Sequence, residues 1–179
     1  MQYGLKHESA AIAALEKILK IKIEKCRLFI DSEHSFLACT PDDIINEGGG
    51  IVEVKTSLQA KDLMVEEAII QCKSLKTIFV HKNGEYQLST RHHYYYQVQG
   101  QLHITQRKYC IFALWTPKSV INVRVEKDDA FWKNKMEEKL VWFYNDCILS
   151  ELLDPRHSKK MEIRDPDCII QVKIQKMES

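Results

Sequence analysis

The sequence lacks any apolar run long enough to span a bilayer, and its first eight residues, Met1 to Glu8, carry no apolar stretch behind a basic start. A membrane-spanning helix and a secretory signal are both excluded from the expectation. Net charge is also scarce: 26 Lys and Arg against 25 Asp and Glu leave +1. The chain is therefore no polycation that would hold nucleic acid by bulk attraction, and any such binding must come from a local patch. Only 6 glycines and 4 prolines occur in 179 residues, which excludes collagen-like and low-complexity chains. No two of the six cysteines (Cys26, Cys39, Cys72, Cys110, Cys147, Cys168) have the spacing of a zinc knuckle or an iron–sulfur site. They read as reduced thiols among apolar neighbours, which points to an intracellular, reducing compartment.

What is present is an ordinary globular mixture, 45% hydrophobic and 28% charged, in a length that suits one domain. Helical spacing of Ala10, Ala11, Ala14, Leu15, Ile18 and Leu19 predicts a first helix over residues 4–20. Short strands are expected over Cys26 to Ile30 and Phe36 to Thr40, the second stopped by Pro41. Gly48, Gly49 and Gly50 make a turn before the β-branched strand Ile51-Val52-Glu53-Val54-Lys55. Further expected elements are a helix over 61–75, a hairpin around Asn83-Gly84, a helix over 91–105, strands Tyr109 to Trp115 and Asn122 to Glu126, and a long helix from Asp128 to about Glu151. This order predicts a mixed α/β fold with a central sheet flanked by helices. The domain is expected over residues 1–154. Residues 155–179 form a charged tail in which Ile169 to Ile174 would add an edge strand.

The chemistry concentrates in two carboxylates and a lysine. Asp42 follows Pro41 at the end of one strand, and Glu53 and Lys55 share one face of the next. A hairpin between them brings both carboxylates together with the ammonium beside them. Such a set suits phosphodiester cleavage. A hard divalent cation takes oxygen ligands from one or two carboxylates and the substrate phosphate, and a nearby ammonium can hold the attacking water or balance developing charge. Each short motif alone is common on solvated strands and turns; the ordered combination is not.

These residues resemble the PD-(D/E)XK nuclease superfamily, and more narrowly its YqaJ-like viral recombinase branch with the lambda-type exonucleases. The likeness runs through Leu37-Ala38-Cys39-Thr40-Pro41-Asp42, Ile51-Val52-Glu53-Val54-Lys55 and Tyr96-Gln97-Val98-Gln99, with Gly4-x-x-x-Glu8 in the first helix. It covers roughly residues 4–150. It implies a restriction-endonuclease-like PD-(D/E)XK core and a deoxyribonuclease using Mg²⁺ or Mn²⁺. Asp42, Glu53 and the Val54 carbonyl would be metal ligands, and Lys55 would position or activate the water. Glu8 would reach the site from its helix, for a second metal. Gln97 would touch the metal-bound water, Lys55 or the phosphate, with one of Gln97 and Gln99 facing the metal and the other supporting it. Asp43, standing where relatives carry glycine, is an alternative ligand to Asp42. The lambda-type enzymes carry a stretch before the Glu8 helix that binds the 5′ end, and this sequence opens almost at that helix.

The substrate implied is double-stranded DNA ends, resected 5′ to 3′ in recombination or viral or mobile-element DNA processing, in the cytoplasm or a host nucleus. A single-strand annealing protein or recombinase, and a homo-oligomer, are the implied partners. The alternatives are a mobile-element endonuclease or nickase, and an inactive DNA-binding domain of the same fold. Arg91, His93, Tyr96, Gln99 and Lys61 are the candidate DNA contacts. Arg91-His92-His93 is no chelating pair, since neighbours on a helix face apart. The tyrosines from Tyr94 to Tyr96 read equally as base-stacking groups or as core. Arg107 and Lys108 are further candidate phosphate contacts.

Overall fold

Strand Tyr109–Trp115 (β8) is buried along its whole length, and the fold is arranged around it. Residues 2–162 and 164–177 are described in this computed structural model of the protein. They fall into two compact units, Met1–Asp129 and Ala130–Ser179. The sequence pattern puts its division at 154 instead.

The first unit opens with helix α1 (Gln2–Leu19), followed by the short strands β1 (Glu24–Lys25), β2 (Phe29–Ile30), β3 (Ala38–Cys39) and β4 (Asp43–Ile45). Strand β5 (Gly50–Thr56) comes next, then helix α2 (Val65–Gln71) and the hairpin β6 (Phe79–Lys82) and β7 (Glu85–Leu88). Helix α3 (His93–Thr105), β8 and β9 (Val120–Glu126) complete the unit. The main sheet has the order β1-β4-β5-β8-β9. Its central pair, β5 and β8, is parallel, and every other pairing in it is antiparallel.

A parallel pair at the centre of a sheet is covered on both faces, which is why β8 reads as an unbroken apolar run. Tyr109, Ile111, Ala113 and Trp115 pack with Val52 and Val54 against Ala11 and Leu15 of α1. Cys110, Phe112 and Leu114 face the other way, with Ile51, Val98 and Leu102. Gly50 is required by close approach: a Cβ there would lie 2.5 Å from the Tyr109 ring. The predicted hairpin forms at Asn83-Gly84, both with positive φ, the backbone that tight two-residue hairpin turns demand.

Several expected elements differ. The strand expected over Phe36 to Thr40 is only Ala38–Cys39 and belongs to a separate ribbon with β2. Strand β4, beginning just after Asp42, lies where no strand was expected. The helix expected over 61–75 is the shorter Val65–Gln71, because Val65 N–H is drawn out to the Ser119 hydroxyl at 2.7 Å and Glu67 caps the Met64 N–H.

The second unit is helical, with residues 130–153 mixing α and π turns. Its tail corrects the sequence reading: Ile169 to Ile174 lie inside a helix, Asp167–Met177, and form no edge strand. The alternating apolar pattern there suits a strand, yet a strand needs a neighbour to satisfy its backbone, whereas a helix closes its own hydrogen bonds. Pro166 C=O accepts from the N–H groups of Ile169 and Ile170, starting that helix, and Asp167 in the first turn suits its dipole.

Cys26, Cys39, Cys72 and Cys110 are free thiols; the side chain of Cys168 lies outside the described residues. Burial pushes the Cys39 thiol up to about 12 and raises Cys110 well above the ordinary value, so neither is a reactive thiolate. Among the described residues no helix is long and apolar enough to cross a membrane.

Candidate active site

The site is built on the β4–β5 hairpin and on one face of α3. Asp43 pairs with Val52 across the hairpin, so Asp42, one residue before β4, falls opposite Glu53 on the same side of the sheet. Pro41 keeps Asp42 out of the ladder. Its carboxylate instead accepts the Val54 N–H at 2.7 Å. In a strand the N–H and C=O of one residue leave on the same side, so the Val54 carbonyl also points toward Asp42. Asp42 is therefore the first residue of a hairpin rather than the last of a preceding strand, and the hairpin register is what brings the carboxylates together.

Glu53 is 2% exposed, and both of its oxygens are engaged. Oε1 accepts from Lys55 Nζ and from Gln97 Nε2, the latter at 2.7 Å; Oε2 accepts from Gln101 Nε2 at 2.8 Å. A carboxylate buried this deeply is costly unless it is paired and hydrogen-bonded, and these three donors supply that. Lys55 is held from a second direction, its ammonium lying 4.8 Å from the centre of the Tyr94 ring. Tyr94 in turn packs on Phe112.

Burial raises the Asp42 carboxyl to about 7, helped by the charges of Glu53 and Glu8 and opposed by the Val54 N–H and Lys55. Glu8 is half-buried on α1. Gly4, one turn earlier, brings α1 against Thr56 at the end of β5. Around Asp42 the charges of Glu53 and Glu8 outnumber that of the Lys55 ammonium, and the candidate ligand atoms are carboxylate and carbonyl oxygens. That donor set fits a hard divalent cation and suits softer thiolate-loving metals poorly.

Asp43 does not join this site. It faces α1 with its register partner Val52, is 5% exposed, and its Oδ1 has no hydrogen-bond partner among the described residues. Burial raises its carboxyl, with Lys25 opposing and Glu8 and Glu16 adding to the rise.

The candidate DNA contacts separate. Arg91, His93 and Tyr96 are exposed at the start of α3, and His93 lies one turn before Gln97 on the same face. Lys61 is exposed beside Asp62, away from these residues in the chain. Gln99 is corrected: it is 1% exposed, and its amide donates to the Glu126 carbonyl and accepts from the Asp128 N–H, both at 2.8 Å. It ties α3 to the end of β9. Arg107 likewise binds the carbonyls of Ile45 and Gly50, closing the β4–β5 turn. The residue that sequence reasoning left without a role is Gln101. Its signal was available, since positions 97 and 101 share a helical face.

An antiparallel hairpin beside a parallel strand pair, with carboxylates and a lysine on the hairpin and a glutamine helix above them, is a restriction-endonuclease-like PD-(D/E)XK nuclease core. The model of the YqaJ-like viral recombinase domain matches residues 1–108, and this chain belongs to that family, as a DNA-cleaving hydrolase. Among solved structures, an alkaline exonuclease from Laribacter hongkongensis shares the fold at TM-score 0.66 and 20% identity, over 89% of this chain and 74% of that one. The same enzyme in complex with dAMP matches with the same TM-score, identity and coverage. No curated protein matches the chain significantly.

Proposed function

We propose that this protein is a divalent-metal-dependent exonuclease that resects double-stranded DNA ends, with 5′ to 3′ polarity, in recombination. The observation that carries the reading is the convergence of Asp42, Glu53 and Lys55 on one side of the β4–β5 hairpin, with the Val54 carbonyl turned toward them. The likeness in fold to the Laribacter alkaline exonuclease supports the exonuclease mode.

Asp42, Glu53 and the Val54 carbonyl would hold the cation, with Glu8 available to a second one. Bound there, Mg²⁺ or Mn²⁺ would supply a Lewis acid for the phosphoryl oxygen and a water of lowered pKa. Lys55 orients the attacking water and balances charge that builds on the phosphoryl oxygens. Gln97, exposed beside Lys55, steadies the substrate phosphate or the water. Arg91, His93 and Tyr96 guide the strand past the start of α3, by phosphate contact and stacking.

The test uses linear duplex DNA labelled at either end, and closed circular DNA, with Mg²⁺, Mn²⁺ or chelator. The expected result is loss of label from 5′ ends only, no cutting of circles, and no activity in chelator. Lys55→Ala should reduce the rate by roughly 10²–10³-fold. Cut circles would replace the exonuclease with a nickase or endonuclease. Equal activity in chelator would end the metal mechanism.

A further inference from the structure

We infer that Gln101 is a positioning residue that fixes the metal-facing oxygen of Glu53; this rests on the metal-dependent reading above. A carboxylate oxygen has two lone pairs. On Glu53, Oε1 has both taken, by Lys55 Nζ and Gln97 Nε2. Among the described residues, Oε2 accepts only from Gln101 Nε2. The lone pair left for a cation is therefore on Oε2, and Gln101 sets where that oxygen lies.

The two glutamines differ in what they can reach. Gln97 is exposed. Gln101, one turn deeper on the same face, is only 4% exposed. Its backbone is held in turn: Val98 and Leu102 are fully buried on either side of it, and Gln99 anchors α3 to the backbone at the end of β9.

Gln101 also carries a cost. Its Oε1 is buried with no hydrogen-bond partner among the described residues. A leucine or methionine would fill the same space without that burden, so packing does not account for an amide here. The donor does, because it is aimed at a buried carboxylate oxygen and fixes where that oxygen lies. Partners that orient a metal ligand in this way commonly change metal affinity by roughly 10–100-fold.

The test compares the full chain with Gln101→Met, Gln101→Asn and Gln97→Met. Mn²⁺ is titrated calorimetrically without DNA, and cleavage is followed against both Mn²⁺ and DNA concentration. Gln101→Met keeps the volume and removes the donor; Gln101→Asn keeps the amide and withdraws it by one methylene. Both should bind Mn²⁺ roughly 10–100-fold more weakly, with unchanged KM for DNA and with kcat recovering toward the parent at saturating Mn²⁺. Gln97→Met should lose rate even at saturating Mn²⁺. Thermal melting by circular dichroism verifies that the variants fold. Parent-like Mn²⁺ affinity in either folded Gln101 variant overturns the inference. Failure of both variants to fold overturns it as well, since Gln101 would then be a structural residue. A parent chain that neither binds Mn²⁺ nor cuts DNA overturns the metal-nuclease reading itself, a separate result.

Discussion

Asp42 stands across the β4–β5 hairpin from Glu53, one step beyond the last paired rung, Asp43 with Val52. That one step decides the site. Side chains alternate along a strand, so Asp43 faces α1 and Asp42 faces Glu53. Asp42→Asn keeps an acceptor for the Val54 N–H and removes the charge. It should fold like the parent, bind Mn²⁺ at least about 100-fold more weakly and lose activity accordingly. Asp43→Asn should leave Mn²⁺ affinity unchanged. Calorimetry on the two variants checks the assignment.

The raised Asp42 carboxyl has a definite sign in stability. Burial, with the charges of Glu53 and Glu8, lifts it to about 7, above its unfolded value. The folded state then binds the proton more tightly. Its stabilising contribution is complete below the unfolded value and is lost as pH climbs through about 7. In chelator, thermal stability should fall across that window, and Asp42→Asn should flatten the slope. Metal binding competes with the same proton, so Mn²⁺ affinity should rise with pH up to about 7. A slope identical in the variant would assign the effect to another group.

Tyr94 lies under the Lys55 ammonium. A cation–π contact of this kind contributes about 0.5–2 kcal/mol, so Tyr94→Leu should lower kcat roughly two- to thirtyfold, with KM for DNA little changed. Tyr94→Phe keeps the ring and should stay close to the parent. Steady-state kinetics on the pair separates the ring from the hydroxyl.

Gln99 is structural. Gln99→Leu removes partners from the Glu126 carbonyl and the Asp128 N–H. Each backbone group left buried and unpaired costs about 1–3 kcal/mol. The melting temperature should fall, while KM for DNA per folded molecule stays the same. A raised KM without loss of stability would return Gln99 to the DNA face.

Arg91 is exposed at the start of α3. If it contacts phosphate, Arg91→Ala should weaken binding to all sequences equally and reduce the slope of log affinity against log salt by about 1. The melting temperature should not move. Titrations at several salt concentrations measure the slope.

Much of the site was legible before any coordinates. Glu53 and Lys55 lie two apart on a β-branched run, and the period of a strand alone puts them on one face. Gln97 and Gln101 lie four apart on a helix, which alone puts them on one face. The long apolar run of β8 and the Asn83-Gly84 turn were equally plain, because local backbone preference and burial act there in the same direction.

Distant pairings were not legible. Strand β4 is three residues long and exists because β1 and β5 flank it; so short a segment has no periodicity of its own. The helix at Asp167–Met177 carries a strand-like apolar alternation, and whether such a pattern meets a neighbouring strand is a tertiary matter.

Residue chemistry and short-range period were thus determined by the sequence: which side chains can ligate, which can donate, and which share a face. The tertiary structure alone decided which of two adjacent aspartates meets Glu53, that Gln99 serves the backbone, and that Gln101 serves the carboxylate. The reason is physical. Hydrogen-bond registry and burial are relations between segments far apart in the chain, and neither is encoded in any window of residues short enough to read by pattern.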